Sequence, residues 1–488
     1  MKSIWPSLPA PFVRAMLASH SAAGLFFAAL AYLVCLTGTL AVFTDEFRRW
    51  EEPHVAEGLT YDPAAVARAA EHALNAAGGA DVHAVVMRLP SPEWPRMTAS
   101  LYGEAIDRGW YVTATGELAA PHAPVWSEFL REIHASLNLP GMAGYLIVGL
   151  VGVGMLALAI SGVLAHPRIF RDAFALRWGG SRRLQEADLH NRLSVWGLPF
   201  NLAICATGAY FGLVGLLMML VADIAYDGGM EPLLADISPP HPEENNIPAP
   251  FPDIVGMLAK VAADPLRARA FSLFVEHPRT AGWHAGVYAK VEGSLSYGEL
   301  FHFRADGEGR LHYVDGSAGQ QAYIAAYPLH FGDFGGLPVK LLYGALGLGL
   351  TVICAGGISI WLARRRGQGR PVPAVERLWP AAVWSVPLSL AISAALAIAL
   401  SLPPLPVFWI AVSLSVCAPM VQKDAATIAR GLRAATAVAL LTAVALHVSA
   451  NGVQFAGTAI WINAAALCVA AMLLMTAIRR TRSMVVAP

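Results

Sequence analysis

The stretch REIHASLNLPGMAGYLIVGL, residues 131–150, decides the fold, because the chain repeats its pattern as YPLHFGDFGGLPVKLLYGAL at residues 327–346. Each copy contains a histidine, His134 or His330, followed by Leu-Pro and a glycine-rich apolar run. Similarity at such a long period is typical of proteins built from internal repeats. The pattern predicts that His134 and His330 occupy equivalent positions in two halves of the chain.

The composition indicates an integral membrane protein. Of 488 residues, 56% are hydrophobic and only 14% are charged, and the mean hydropathy is +0.51. Soluble domains average about 25% charged residues. The 34 basic and 34 acidic residues balance, which argues against a nucleic-acid partner. The five cysteines lie in apolar runs without CxxC spacing, so we expect small core residues rather than disulfides or a zinc site.

Eight stretches have the roughly 20 apolar residues that a spanning helix needs. Arginine-rich segments follow the second and fourth spans and end the chain, which predicts that both termini are cytoplasmic in a bacterial inner membrane. The predicted order is a first span (1–43), a periplasmic domain (44–138), a second span (139–166), a cytoplasmic loop (167–193), a third span (194–221), a second periplasmic domain (222–336), a fourth span (337–362), a cytoplasmic linker (363–379) and four additional helices (380–480).

Both outer segments are predicted to be small α+β domains. In the first, the start signal Asp62-Pro63 precedes a helical pattern, and RGWYVTATGELAA (108–120) has the pattern of strand, turn and strand. In the second, Asp306-Gly307 and Asp315-Gly316 are typical hairpin turns.

The first and third spans also match each other. His20 lies 17 residues before Thr37, and His190 lies 17 residues before Thr207. Residues 15–166 and 185–362 therefore form two repeats of one orientation, related by a pseudo-two-fold axis along the membrane normal. Such an axis would place His20 opposite His190 near the cytoplasmic surface, and His134 opposite His330 near the periplasmic surface.

Two facing histidines at one depth are what a b-type haem with two axial imidazoles requires, and the pattern occurs twice. The sequence predicts two such haems, bound non-covalently because no CxxCH motif is present. A single histidine at a helix end is more often a hydrogen-bonded interfacial residue, and glycine-rich helices are also typical of close helix packing. His166 is an alternative inner ligand, or a contact to a haem propionate or donor. His447 is predicted to be structural, and the remaining histidines lack metal-binding spacing.

Four segments in order, RAMLASHSAAGLFFAALAYLVCLTG, the stretch from IHASLNLPG to FRDAFALR, DLHNRLSVWGLPFNLAICATGAYFGL and LHFGDFGGLPVKLLYGALGLGL, resemble the PepSY-associated transmembrane-helix proteins. The resemblance covers roughly residues 10–365. It implies PepSY-type periplasmic domains, a four-helix haem-binding core and reduction of a periplasmic ferric siderophore to release Fe²⁺, with His20, His134, His190 and His330 at the ligand positions and His166 in a family-typical stretch.

The resulting hypothesis is an electron relay from a cytoplasmic or membrane donor, through two haems, to a ferric siderophore. No GxGxxG motif follows a strand, so the donor is expected to be a quinol or another protein. Two alternatives remain: a siderophore or metal permease, and a non-catalytic membrane regulator with PepSY-like domains. The family resemblance assigns no role to the four additional helices.

Overall fold

The computed structural model describes residues 8–166, 169–172, 174, 182–227, 229–237, 245–304, 307–311, 318–453 and 457–478. The chain divides into two units, and each is interrupted by segments of the other. The membrane unit comprises Met1–Pro53, Pro124–Leu213 and Leu341–Pro488. The sheet unit comprises His54–Ala123 and Val214–Lys340.

The chain folds into the following helices and strands, numbered in chain order. The helices are α1 (Ala10–Ala41), α2 (Thr44–Glu51), α3 (Pro63–Ala76), α4 (Val125–Ser136), α5 (Ala143–Ala165), α6 (Ile169–Asp172), α7 (Arg182–Trp196), α8 (Leu198–Ala225), α9 (Met230–Ile237), α10 (Ile254–Ala262), α11 (Ala318–Phe331), α12 (Gly336–Gly367), α13 (Pro373–Leu400), α14 (Pro404–Val416), α15 (Ala418–Val421), α16 (Ala425–Asn451) and α17 (Thr458–Ile478). The strands are β1 (Ala84–Arg88), β2 (Met97–Gly103), β3 (Ile106–Val112), β4 (Leu118–Pro121), β5 (Arg269–Glu276), β6 (His284–Lys290), β7 (Glu299–Arg304) and β8 (Gly307–Leu311).

Within the part of the chain that the structure describes, eight helical segments are long and apolar enough to cross a membrane, which confirms the predicted multi-pass membrane protein. They are α1, α5, α8, α12, α13, the α14–α15 pair, α16 and α17. Apolar runs of this length become helices in lipid because a helix satisfies its own backbone hydrogen bonds where no water is available. α16 has a further start signal, since the Asp424 carboxylate accepts a hydrogen bond from the Thr427 backbone amide at 2.9 Å.

In the membrane unit, α1 packs against α5 and α4, while α13 packs against α14 and α16. α2 and α4, which the sequence analysis included in the first periplasmic domain (44–138), group with the membrane unit, while the boundaries of that domain stay a prediction. Both are amphipathic, and their apolar residues join the cluster formed with α1 and the C-terminal helices. That cluster includes Tyr32, Trp50, Phe129, Leu130, Ile133, Val386 and Phe408.

The sheet unit contains one antiparallel sheet where the sequence predicted two separate domains. The strand order is β4-β3-β2-β1-β5-β6-β7-β8. The two segments join at β1 and β5, where Val85 lies opposite Val275 and Met87 opposite Leu273. These four side chains are fully buried, so joining the two half-sheets covers apolar strands that would otherwise be edges.

The two halves of the sheet have the same order of elements, one helix followed by four strands. The helices α3 and α10 pack together on one face of the sheet, over a core that includes Val66, Ala70, Met257 and Val261. The predicted start of α3 is confirmed, since the Asp62 carboxylate accepts from the Ala64 amide at 3.0 Å. The β3–β4 hairpin is confirmed as well. Asp306, Asp315 and Gly316 lie outside the described residues.

Candidate functional site

His20 lies on α1 and is fixed by the backbone of α5. Its Nδ1 lies 3.0 Å from the Leu158 carbonyl oxygen and 3.2 Å from the Ser161 hydroxyl. A Cβ on Gly162 would stand 3.1 Å from Cε1 of the ring, so the imidazole packs directly on the helix backbone. With Nδ1 donating to the carbonyl, the lone pair is on Nε2. A backbone-held Nδ1–H is the usual arrangement behind a histidine that ligates a metal through Nε2.

His190 lies on α7, against the glycines of α12. A Cβ on Gly357 would stand 3.8 Å from Cε1 of His190, and a Cβ on Gly356 would stand 4.0 Å from Nδ1. The Nδ1 atom is buried and has no hydrogen-bond partner. Burial, and next the nearby His20, lower the pKa of His190 to about 4, while the Ile353 backbone beside the ring acts in the opposite direction. His190 is therefore neutral at physiological pH, which is the ligating form.

The surroundings of His20 and His190 are repeat equivalents. Leu158 and Gly162 are spaced by four residues, as are Ile353 and Gly357, and each pair lies beside its own histidine. His20 and His190 thus lie beside backbone segments of the same spacing, although only Nδ1 of His20 is hydrogen-bonded to its carbonyl. Their assignment as axial ligands is still a prediction.

A second pair of equivalent contacts extends the repeat. A Cβ on Gly152 of α5 would stand 2.8 Å from the Ala209 amide of α8, and a Cβ on Gly347 of α12 would stand 2.7 Å from the Thr39 hydroxyl of α1. Thr39 and Ala209 each stand 19 residues after His20 and His190, respectively. Each helix that ends a repeat therefore packs closely on the helix that begins the other one.

His134 lies on α4 and packs flat against α1. Its Nδ1 lies 3.0 Å from the Val34 carbonyl oxygen. A Cβ on Gly38 would stand 2.5 Å from Cε1 of His134, so only glycine leaves room for the ring in this position. Burial lowers the pKa of His134, which favours the neutral imidazole. His134 thus shares with His20 an Nδ1 that lies at hydrogen-bonding distance from a backbone carbonyl of a neighbouring helix.

The two histidine sites lie far apart along α1. Gly38 follows His20 by 18 residues, which is about 27 Å at a rise of about 1.5 Å per residue. The hydrocarbon core of a bilayer is about 30 Å thick. His20 and His134 are therefore placed so that one site lies towards each surface of a membrane crossed by α1.

A polar junction between α2 and α4, which the sequence patterns did not predict, holds the helix that carries His134. The Glu51 carboxylate accepts from the backbone amides of Trp126 at 2.8 Å and Ser127 at 2.7 Å, at the start of α4. Arg48 Nε donates to Glu128 at 2.9 Å. The capping carboxylate comes from a different helix, so no short-range signal such as a capping box could have revealed it.

The two remaining candidate ligands, His330 and His166, lie at helix ends. His330 lies on α11 in the sheet unit, half-buried, with its ring 5.4 Å from that of Phe331. His134 belongs to the membrane unit, so the pairing of His134 with His330 is still a prediction. His166 ends α5 and is half-buried. Its role as an alternative inner ligand is also untested.

His447 is structural, as its isolated position in the sequence suggested. Its Nε2 lies 2.7 Å from the Trp50 carbonyl oxygen, and its Nδ1 lies 3.2 Å from Nδ2 of Asn463. Its ring stacks on Trp50 at 4.7 Å. Both ring nitrogens are used, so no lone pair is left for a metal. Trp50 also donates from Nε1 to Asn463 at 2.9 Å, which ties α16 and α17 to α2.

Among the residues that the structure describes, the cysteines and the other histidines are not grouped as a conventional metal site. All five cysteines are free, as predicted, but Cys417 and Cys468 are exposed rather than in the core. Among the described residues, no group of three or more His, Cys, Asp or Glu is arranged to hold a metal ion. His241 and His312 lie outside that part of the chain. A haem needs only two protein ligands, because the porphyrin supplies the other four.

The residues of the membrane unit fit a b-type haem. His20 and His134 each have one ring nitrogen fixed by a carbonyl, and His190 has a buried nitrogen without a partner. Glycines at 38, 162 and 357 keep the backbone close to these rings. This donor set matches low-spin iron ligation better than it matches a hard divalent cation, which takes oxygen ligands.

Comparison with known proteins identifies the family of the chain. A family model described as the PepSY-associated TM region matches residues 17–364. An uncharacterized protein of Pseudomonas aeruginosa is 30% identical over 253 residues, which cover 49% of this chain and 64% of that relative. The chain thus spans less than two thirds of the relative's length. The matched region contains all four predicted ligands, and the chain belongs to the PepSY-associated transmembrane-region family.

Proposed function

We propose that the protein is a haem-containing inner-membrane oxidoreductase that carries electrons across the bilayer to a ferric siderophore in the periplasm, where Fe(II) is released for uptake. The observation that carries the proposal is the pair of histidine sites against α1, His20 on that helix and His134 packed beside its Gly38, about 27 Å apart by helix rise. In each site a backbone carbonyl fixes Nδ1 of the imidazole, His20 in one and His134 in the other. Haem, when bound, supplies a one-electron carrier.

The protein backbone holds and orients the proposed ligands. The carbonyls of Leu158 and Val34 hold Nδ1 of His20 and His134, and Nε2 is the nitrogen proposed to ligate. A hydrogen bond from the opposite ring nitrogen also raises the electron donation of an imidazole to a metal. His190 and His330 are the proposed second ligands, and His166 is the alternative in the inner site.

The apolar helices exclude water and charge from the path between the two sites. Ala31, Val151, Met155 and Leu350 are buried between α1, α5 and α12. Such a low-dielectric environment disfavours the movement of ions and leaves electrons as the species that cross. The electron donor is proposed to be a quinol or a cytoplasmic protein, because no nicotinamide-binding motif is present in the sequence.

The test measures electron transfer from the reduced protein to ferric siderophores, with the Fe(II) formed counted against the electrons lost. Purified protein is reduced without oxygen, freed of reductant and mixed with ferric hydroxamate, catecholate or carboxylate siderophores. We expect haem to be reoxidised and one Fe(II) to be captured by a ferrous chelator for each electron lost. A His134→Ala variant should slow this reaction strongly, because it removes a ligand of the outer site.

Two results would contradict the proposal. Fully reduced protein that transfers no electrons to any ferric siderophore would exclude the reductase. Vesicles that accumulate the intact ferric siderophore without Fe(II) would instead identify a permease.

A further inference from the structure

Three sulfur atoms from three helices meet inside the membrane unit. The Cys35 thiol of α1 donates a hydrogen bond to Met155 Sδ of α5 at 3.6 Å. Cys35 Sγ also lies 3.8 Å from Cys354 Sγ of α12. Cys35 is therefore in direct contact with both other sulfurs. We call Cys35, Met155 and Cys354 the sulfur cluster.

The sulfur cluster is surrounded by apolar side chains but is not sealed. Met155 is 8% exposed, whereas Cys35 and Cys354 are partly exposed, so a small ion can reach the two thiols. The apolar residues that pack around the cluster include Ala31, Val151 and Leu350. Thiol and thioether sulfurs are weak hydrogen-bonding groups, so their contacts with one another contribute little to holding the helices together.

The distances within the sulfur cluster fit ligands that share one ion. Bonds between sulfur and a metal of this kind are about 2.3 Å long. Two sulfurs at that distance from one ion lie 3.6–3.8 Å apart when the angle at the ion is roughly 100–110°. Both contacts of Cys35 have this spacing. An ion that bridges Cys35 and Met155 takes the place of the thiol proton that now lies between them.

We propose that the sulfur cluster binds a soft monovalent cation of the Cu(I) class. Thiolate and thioether ligands select Cu(I), whereas carboxylates and carbonyls suit hard ions. Zinc, another ion that cysteines bind, takes four ligands in structural sites, one more than the cluster supplies. With only two cysteines, the cluster is distinct from groups of three or more His, Cys, Asp or Glu. The Met155 thioether supplies the third ligand.

The bound ion leaves no net charge in the apolar interior. On binding, the Cys35 thiol releases one proton to solvent, and no electron is transferred. The thiolate that forms cancels the single charge of the ion, while Cys354 binds as a thiol and Met155 as a thioether. Neutrality favours the complex, because an uncompensated charge in an apolar environment is costly. The site is separate from the proposed electron transfer and does not depend on it.

Cu(I) itself is the probe, added without oxygen in the presence of ascorbate to the full-length protein in detergent. Both exposed cysteines are first replaced, as Cys417→Ser and Cys468→Ser, because they offer thiols of their own. Bathocuproine disulfonate competes for the ion and reports the copper that the protein holds. We expect one Cu(I) per chain and release of about one proton per ion. X-ray absorption at the copper edge should show sulfur neighbours at about 2.3 Å.

The variants separate ligation from packing. Cys35→Ser and Cys354→Ser should each weaken Cu(I) binding more than about 100-fold, beyond the range expected for loss of an outer-shell partner. Met155→Leu removes the sulfur but nearly conserves side-chain volume, so the fold should tolerate it, and it should also weaken binding. The matched control is Met142→Leu at the start of α5, where Met142 is 42% exposed. Met142→Leu should bind Cu(I) as the wild type does.

Circular dichroism and elution volume establish that each variant is folded. The proposal is overturned if the protein holds no Cu(I) against the chelator, or if nitrogen or oxygen neighbours surround the copper. It is equally overturned if Met155→Leu binds Cu(I) as tightly as Met142→Leu. Cu(I) binding in a protein that fails to reduce ferric siderophores would support this site and refute the proposed function alone.

Discussion

Gly38→Ala provides a sharp test of the site at His134. The added Cβ would stand 2.5 Å from Cε1 of the His134 ring, against an ordinary carbon contact of about 3.5–4.0 Å. The ring must therefore move by about 1–1.5 Å if the helices keep their places. Its hydrogen bond to the Val34 carbonyl, now 3.0 Å long, would then exceed hydrogen-bonding distance and lose about 0.5–1.5 kcal/mol. Functional sites tolerate displacements of only about 0.5 Å.

The expected result is selective loss of the outer haem. Gly38→Ala should reduce the haem content from two per chain towards one, or shift the midpoint potential of one haem, as measured by haem quantification and redox titration. The matched control is Gly24→Ala on the same helix, whose Cβ would meet only Leu158 Cδ2 at 3.8 Å. Both changes favour the helix equally by propensity. Equal haem content and equal potentials in Gly38→Ala and Gly24→Ala would refute the reasoning.

Two further predictions concern the helices around this site. His447→Ala removes the ring hydrogen bonds with Trp50 and Asn463 and creates a cavity. It should therefore lower the free energy of unfolding in detergent by about 2–4 kcal/mol, while both haems are retained. Loss of haem from folded His447→Ala protein would show that His447 is not merely structural. Burial opposes ionisation of Glu128, but Arg48 and Arg131 more than compensate and lower the pKa of Glu128. A lowered pKa stabilises the fold above the unfolded-state pKa, and this stabilisation is lost as pH falls through the folded-state pKa. Because the Glu128 side chain is partly exposed and solvent screens its ion pairs, Glu128→Gln should be less stable than the wild type by at most about 1 kcal/mol at neutral pH. Thermal unfolding curves of the two proteins should converge in acid. A difference in unfolding temperature that persists or widens in acid would contradict this.

The membrane spans were predictable because hydropathy and length determine them without knowledge of their neighbours. The repeat was also predictable, since His20 and His190 stand at equal distances from matching threonines. In the structure the two repeats make equivalent close contacts, Gly152 with Ala209 and Gly347 with Thr39.

The single sheet was not predicted, because strand pairing over long sequence separations has no local signal. Val85 of β1 and Val275 of β5 would also be buried in two separate domains. Only the pairing of the two strands joins the halves into one sheet. The Glu51 cap of α4 was missed for the same reason.

The central claim is that four histidines bind two haems, and haem quantification with a visible spectrum tests it most directly. Protein purified from haem-replete cells should contain two low-spin b-type haems per chain. His20→Ala and His190→Ala should remove one haem, and His134→Ala and His330→Ala should remove the other. Protein without haem, or retention of two haems in all four variants, would contradict the account.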